Sequence, residues 1–166
     1  MDLRRLLRHV CTTHRAQRRA FTPAITRSIA EAVQWIEQRH QVQIRFVVEA
    51  ALDPWLLLRR QTPRERAIEL FSLLGVWDTA RNDGVLLYVL LADRAVEVVA
   101  DRGISAAVPA ATWATICRRM EASFARRDYE HGALAAIRAV SEALEDVRSA
   151  AAADPRSELP DQPLLL

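Results

Sequence analysis

The chain has 166 residues, of which 51% are apolar and 27% charged, a composition typical of one soluble globular domain. Its net charge is +2, every basic residue is arginine, and no apolar run approaches the ~20 residues that a membrane-spanning helix needs. The N-terminus lacks the apolar core of a secretory signal, and the two cysteines, Cys11 and Cys117, have no metal-ligand spacing. The sequence therefore predicts a cytoplasmic protein with reduced thiols.

The N-terminal leader, residues 1–21, is the most basic part of the chain. Six arginines lie in its first 20 residues, where Asp2 is the only acidic residue. Residues 2–10 are predicted to form an amphipathic helix, and TTHRAQRRA after it a connector. We expect the apolar face of the helix to dock on the domain's own core, with peripheral membrane contact through residues 1–20 as the alternative. Its apolar residues are Leu3, Leu6, Leu7 and Val10.

The following elements are marked by capping residues and by hydrophobic periodicity. Thr-Pro pairs open two helices, strict alternation marks one strand, and VLLYVLL is apolar on both faces, as in a central strand. In chain order we predict a helix from Pro23, a strand over 42–52, a helix from Pro63 to Gly75, strands over 85–91 and 95–100, a helix from Pro109, and a helix over about 128–149.

This order predicts a three-layer α/β/α sandwich with a small mixed sheet. A right-handed crossover makes the first two strands parallel, and a two-residue break at Asp93-Arg94 makes the second and third an antiparallel hairpin. The predicted organisation is a basic leader over 1–21, one domain over 22–149, and a loose, disordered tail over 150–166.

Four segments together resemble the TPM domain family over about residues 22–147. They are RFVVE, LFSLLGVW, NDGVLLYVLLADRAVEVVADRGI and DYEHGALAAIRAV. The chain resembles a cytoplasmic bacterial branch of that family, without signal peptide or membrane anchor. The resemblance implies a Rossmann-like fold, for some members a loop site for Ca²⁺ or another divalent cation with acid phosphatase activity, and a membrane protein of the LemA type as a partner. The third strand of relatives commonly exits through Gly-x-Gly, where this chain has Asp101-Arg102-Gly103.

The open end of the predicted hairpin is the first candidate site. Folding the two strands back on each other brings Asp83 and Gly84 near Arg102 and Asp101. Oxygen ligands of this kind suit Ca²⁺ or Mg²⁺, and Arg102 could hold a phosphate. Ordinary turn chemistry and an ion pair are the alternative. The predicted metal ligands are Asp83, Asp101, Asn82 and Asp78.

The opposite end of the sheet is the second candidate site. A parallel first strand ends where the hairpin turns, and ligands of open α/β sheets favour the carboxyl ends of strands. The residues that meet there are Glu49, Asp53, Asp93 and Arg94.

Two functions follow from these sites. The first is an interaction or assembly module. Two further possibilities for this module are that it acts beside a membrane protein and that it binds a divalent cation. The alternative is a metal-dependent, acid-phosphatase-like phosphomonoester hydrolase. No nucleophile elbow or phosphate-binding loop is present, so the catalytic residues are unknown. Nucleic-acid binding is not favoured, because the chain outside the leader is mildly acidic.

Overall fold

The structure is a computed structural model that describes residues 3–40, 42–145 and 159–166. These ranges contain eight helices and four strands. They are α1 (Leu3–Cys11), α2 (His14–Ala20), α3 (Pro23–His40), β1 (Gln43–Glu49), α4 (Pro54–Leu58), α5 (Pro63–Leu73), β2 (Gly84–Leu90), β3 (Ala95–Ala100), α6 (Arg102–Ser105), α7 (Ala110–Ala125), α8 (Tyr129–Glu145) and β4 (Leu164–Leu165).

One mixed sheet has the strand order β3-β2-β1-β4. β1 runs parallel to β2, with Gln43 opposite Gly84, and β2 runs antiparallel to β3, with Val85 opposite Ala100. The predicted parallel pairing of the first two strands and the predicted hairpin are therefore confirmed. β4 adds a short parallel strand to the free edge of β1.

Two apolar cores lie on the two faces of the sheet. Side chains on a strand alternate between faces, and β2 contributes Val85, Leu87 and Val89 to one core and its alternate residues to the other. Helices α3, α7 and α8 cover the first core, and α4 and α5 the second. The α/β/α prediction is confirmed, and it explains why β1 and β2 are buried along their whole length.

Capping residues begin several helices, and the cap predicted at Thr62 is confirmed. Thr62 and Glu65 form a capping box at α5, in which each side chain bonds the other's backbone N–H. Asp53 caps α4 and Asp101 caps α6. Asp53 and Asp101 are thus partly committed to local structure before any ligand is considered.

The structure differs from the sequence prediction in its shorter elements. The expected connector after α1 is helix α2, and α4 and α6 are additional short helices. The hairpin linker has four residues, 91–94, where we predicted two, because Leu90 pairs with Ala95. The prediction of a loose tail does not hold for residues 159–166, which dock on β1. Residues 150–158 lie outside the described residues, as does the predicted end of the last helix after Glu145.

Candidate functional site

The open end of the β2–β3 hairpin is built by two backbone hydrogen bonds. Asp101 N–H donates to Gly84 O (2.8 Å), and Gly103 N–H donates to Asn82 O (3.0 Å). A Cβ at position 103 would lie 2.5 Å from Asn82 O, so only glycine permits this approach. The two ends of the hairpin therefore meet, as the sequence predicted.

Asp83 is a buried carboxylate with one bonded oxygen. Its side chain is 9% exposed, and Arg81 Nε donates to its Oδ2 at 2.9 Å. Thr79 Oγ1 accepts the Asp83 backbone N–H at 3.0 Å and fixes the turn. The Oδ1 atom is buried and has no hydrogen-bond partner, a condition that costs free energy unless a further ligand supplies charge.

Asp101 repeats this arrangement on the other strand. Its Oδ1 accepts the Arg102 backbone N–H at 2.6 Å, while its Oδ2 is buried without a hydrogen-bond partner. Asn82 has a left-handed backbone (φ 55°), and its Oδ1 accepts from Arg102 Nε at 3.2 Å. Carboxylate and amide oxygens with free lone pairs are ligands that Ca²⁺ and Mg²⁺ take, so the residues present fit such an ion in kind.

The convergence of these carboxylates is less complete than the sequence suggested. Position 101 lies opposite Gly84 in the ladder, so the pleat gives Asp83 and Asp101 alternate faces of the sheet, and only the turns at their ends can bring them together. Asp78 is exposed in the preceding loop. Within the described ranges, no three His, Cys, Asp or Glu side chains form a group that could hold a metal.

Arg102 lies exposed at this end of the hairpin. Its Nε donates to Asn82 Oδ1, and the residue as a whole is exposed. A planar guanidinium in this position could bind a phosphate oxygen pair.

At the opposite end of the sheet, Glu49 is held by a buried network. Arg66 donates to both of its carboxylate oxygens (3.0 and 2.9 Å), and Tyr88 Oη donates to Oε2 (2.6 Å). Burial lowers the pKa of Arg66, but Glu49 and Glu69 outweigh it and raise that pKa above its usual value. Burial and Glu49 also raise the pKa of Tyr88. The charge of the Glu49 carboxylate is therefore balanced by the Arg66 guanidinium of the same domain.

Asp93 at the same end is neutralised by helix α1. Arg5 Nη2 lies 2.7 Å from Asp93 Oδ2, and Arg8 contacts the other oxygen at 3.4 Å. His9 Nδ1 accepts the Leu52 N–H at 3.0 Å, so its Nε2 carries the proton and faces Asp93 Oδ1 at 3.1 Å. Burial opposes ionisation of Asp93, but Arg5 and His9 prevail and lower its pKa.

The other two predicted residues of this end have structural places. Asp53 is exposed and accepts the Trp55 N–H at 2.8 Å. Arg94 is exposed in the hairpin turn, with φ 54°. The structure brings Glu49 and Asp93 to the carboxyl ends of the strands, but both already have cationic partners.

The sequence missed how α1 docks. We expected its apolar face on the core, but the face that docks is polar: Arg5 and His9 reach Asp93, and Leu6 alone of the four apolar residues packs on the second core. The other three form an exposed leader stripe and are 63%, 56% and 68% exposed. A helical wheel gives two faces and does not identify which one finds a partner. The leader stripe is Leu3, Leu7 and Val10.

None of the helices in the described part of the chain is long and apolar enough to cross a membrane. A family model described as the TPM domain matches residues 15–143. The match covers residues 15–20 of α2, which the sequence resemblance had left outside.

Two solved structures share the fold. One is the solution structure of the BA42 protein from the psychrophilic bacterium Bizionia argentinensis, with a TM-score of 0.70, 23% identity, and 87% of this chain and 94% of that chain covered. The other is the N-terminal domain of a protein from P. gingivalis, with a TM-score of 0.63, 21% identity, and coverage of 76% and 78%. A search of curated proteins gives no match.

Proposed function

The chain belongs to the TPM domain family, and from that premise we propose that it is a cytoplasmic interaction module that rests on an anionic membrane surface through α1. The observation that carries the proposal is the leader stripe. Three large apolar side chains, one helical turn apart, point into solvent from a helix whose polar face is bonded to the domain. A stripe of this kind suits the headgroup boundary of a bilayer.

The charge around the stripe supports an anionic surface. Neither α1 nor α2 contains an acidic residue. Three arginines of α2 are exposed beside the stripe-bearing helix, and an arginine near an anionic leaflet contributes on the order of 1 kcal/mol to binding. These are Arg15, Arg18 and Arg19.

The contact of α1 with Asp93 holds the leader stripe in this exposed position. Since Arg5 is bonded to Asp93 and His9 lies beside that carboxylate, the stripe does not have to be released from a core before it meets a membrane. Binding therefore needs no refolding of the domain, which lowers its entropic cost.

Co-sedimentation with protein-free vesicles tests the proposal. Wild-type protein should bind vesicles that contain phosphatidylglycerol more strongly than pure phosphatidylcholine vesicles, and should dissociate at high ionic strength. Leu7→Asp should abolish binding. The matched control is Leu73→Asp on helix α5, where the leucine is 70% exposed and lies outside the leader stripe.

Equal binding by the two variants, or none by the wild type, would refute the lipid surface. Because the vesicles hold no protein, a partner of the LemA type cannot produce a positive result. Its contribution would appear as an increase in binding when it is added to the vesicles.

Divalent-cation binding at the hairpin end is the second candidate function. It is favoured by the two buried carboxylate oxygens that lack partners, one on Asp83 and one on Asp101. Calorimetric titration with Ca²⁺ or Mg²⁺ should show binding that Asp83→Asn weakens at least about tenfold. Asp53→Asn is the control, since asparagine also caps a helix. Identical isotherms for all three proteins would rule the site out.

The acid-phosphatase-like alternative uses the same site and Arg102. It predicts release of phosphate from p-nitrophenyl phosphate only with a divalent cation present. Arg102→Ala should then reduce phosphate release while the protein still binds the cation. A protein that binds the cation without releasing phosphate would be an interaction module with a structural ion.

A further inference from the structure

The tail segment, residues 159–166, lies along the outer edge of β1 as an added strand. Leu164 pairs with Val47 and Leu165 with Val48 in parallel register. Leu166 N–H donates to Val48 O (2.8 Å), and Ala50 N–H donates to Leu166 O (3.0 Å). The tail therefore takes the hydrogen bonds that an edge strand otherwise leaves to solvent.

Three buried polar side chains hold the main chain of the tail. Gln17 Nε2 donates to Leu166 O at 2.9 Å and also to Val48 O. Arg45 Nη1 donates to Gln162 O at 3.1 Å and to Pro160 O, and Gln43 Oε1 accepts the Leu159 N–H at 3.0 Å. The exposed fractions of Gln17, Gln43 and Arg45 are 2%, 4% and 8%.

Such burial is costly for polar groups without partners, and here the partners are tail atoms. Burial lowers the pKa of Arg45, and Asp161 of the tail opposes that shift. These hydrogen bonds from the three side chains to the tail go to main-chain atoms, so they select an extended conformation more than a particular sequence.

The side-chain contacts of the tail select apolar residues. Leu164 and Leu166 pack against the core on the α4–α5 face, and Leu165 packs against the core on the other face. Each of the three consecutive positions therefore has an apolar surface to cover. The edge of β1 recognises three adjacent apolar residues in extended conformation, running parallel to β1.

We propose that the outer edge of β1, with Gln17, Gln43 and Arg45, is a strand-addition site for an extended leucine-rich segment of another protein. The tail segment is its occupant in cis and competes with that partner. Backbone-directed bonds and apolar contacts are what a strand-adding peptide uses, and the tail shows the chemistry that fits. The site lies on β1, and its existence does not depend on membrane or cation binding.

Fluorescence polarisation with a labelled peptide of residues 159–166 tests the site. In the full chain, Leu164→Asp with Leu166→Asp places charge against the apolar core and should undock the tail. This variant should bind the peptide at least about tenfold more tightly than the wild type, because a tethered segment competes at an effective concentration in the millimolar range.

Two N-methylated peptides supply matched controls. Methylation at Leu166 removes the donor to Val48 O and should abolish binding. In a parallel ladder alternate residues bond the neighbouring strand, so the N–H of Leu165 points away from β1 and its methylation should be tolerated. Equal binding of both methylated peptides, or no peptide binding by the undocked variant, would overturn the proposal.

A second measurement uses the wild-type chain, in case the charged variant does not fold. Excess peptide with a photoreactive leucine at position 165 should cross-link to the β1 edge, as located by mass spectrometry. Cross-links spread over the whole surface would count against the site. A wild-type dimer that forms with concentration by exchange of tails would assign the site to a second copy of this chain, and would overturn the proposal of a different partner.

Discussion

Buried carboxylates show most clearly what single residues do in this protein. Glu49 has both oxygens bonded by Arg66 and Tyr88, whereas Asp83 and Asp101 each keep a buried oxygen without a partner. The first arrangement is a completed structural network. The second is incomplete, which is why the hairpin end remains a candidate for a cation.

Removing the Arg66 guanidinium from the Glu49 network should be strongly destabilising. Arg66→Ala leaves a buried carboxylate without its ion pair, and we expect a loss of about 3–5 kcal/mol in the free energy of unfolding. Arg39→Ala is the control: its pair with Glu145 is about half exposed and should contribute less than ~1 kcal/mol. Urea denaturation of both variants at neutral pH measures the difference, and similar losses would contradict the buried network.

Gly84 should tolerate no side chain. A Cβ at this position would lie 1.9 Å from the carbonyl oxygen of Val76, so the strand or the loop must move. We expect Gly84→Ala to cost about 3 kcal/mol. Gly75 has φ 66° but open space around it, and Gly75→Ala should cost about 1 kcal/mol. Thermal or urea unfolding compares the two; equal costs would mean that the backbone at Gly84 shifts freely.

Sequence reasoning reached some of these residues and missed others. The approach of the backbone at residues 82–84 to that at residues 101–103 followed from hairpin pairing, because strand register is set by alternation and turns. The Tyr88–Glu49 contact did not, because Tyr88 lies in an apolar run that signals only burial. Which buried oxygen lacks a partner depends on side-chain packing and has no sequence pattern.

Among helices and strands, the long periodic ones were predictable from the sequence and the short ones were not. The long helices and the three main strands were predicted from periodicity of 3.6 or 2 residues. Helices α2, α4 and α6 have seven, five and four residues, too few for a periodic signal. β4 was missed because its partner edge lies more than a hundred residues away, and proline-rich composition favoured a loose tail.

The docking of α1 should depend on pH through Asp93. Since contacts with Arg5 and His9 lower its pKa below that of the unfolded chain, its stabilisation is present above the ordinary value of about 3.9 and is lost as the pH falls through the folded value. Asp93→Asn should destabilise the protein by about 3 kcal/mol at neutral pH. The difference between Asp93→Asn and wild type in the free energy of unfolding should become smaller below about pH 4.

Hydrogen exchange should locate this effect in α1. Its amides should exchange faster in Asp93→Asn at neutral pH, while those of β1 remain protected. Asp53→Asn, which keeps a capping residue at α4, should leave α1 unchanged. If the free energy of unfolding of Asp93→Asn differs from that of wild type by the same amount from pH 7 to pH 3, the role of the Asp93 carboxylate is contradicted.

At the scale of the whole molecule, β1 and β2 belong to both cores. Their alternate residues supply opposite faces, so neither core can lose its sheet without exposing the other. The three-layer fold was predictable from element order for the same reason. Relations that join distant segments, such as the leader with Asp93 and the tail with β1, were not.

A sheet shared by two cores predicts one cooperative unfolding transition. Far-ultraviolet circular dichroism and the near-ultraviolet signal of the aromatic residues should give the same urea midpoint. The Leu165→Asp variant, which disturbs the tail, should lower that midpoint without splitting the transition. Two separate midpoints would show that the cores unfold independently.

Both borders of the sheet are closed by the chain itself, and this bears on aggregation. Along β3, Val96 N–H donates to Glu121, and Val98 O accepts from Arg64. The border on the β1 side is covered by residues 159–166. Bare strand borders recruit identical molecules into cross-β fibrils. We therefore expect these contacts to hinder polymerisation of the protein at high concentration. Substitution of Glu121, Arg64 or the leucines of the tail should lower solubility before it changes any other property.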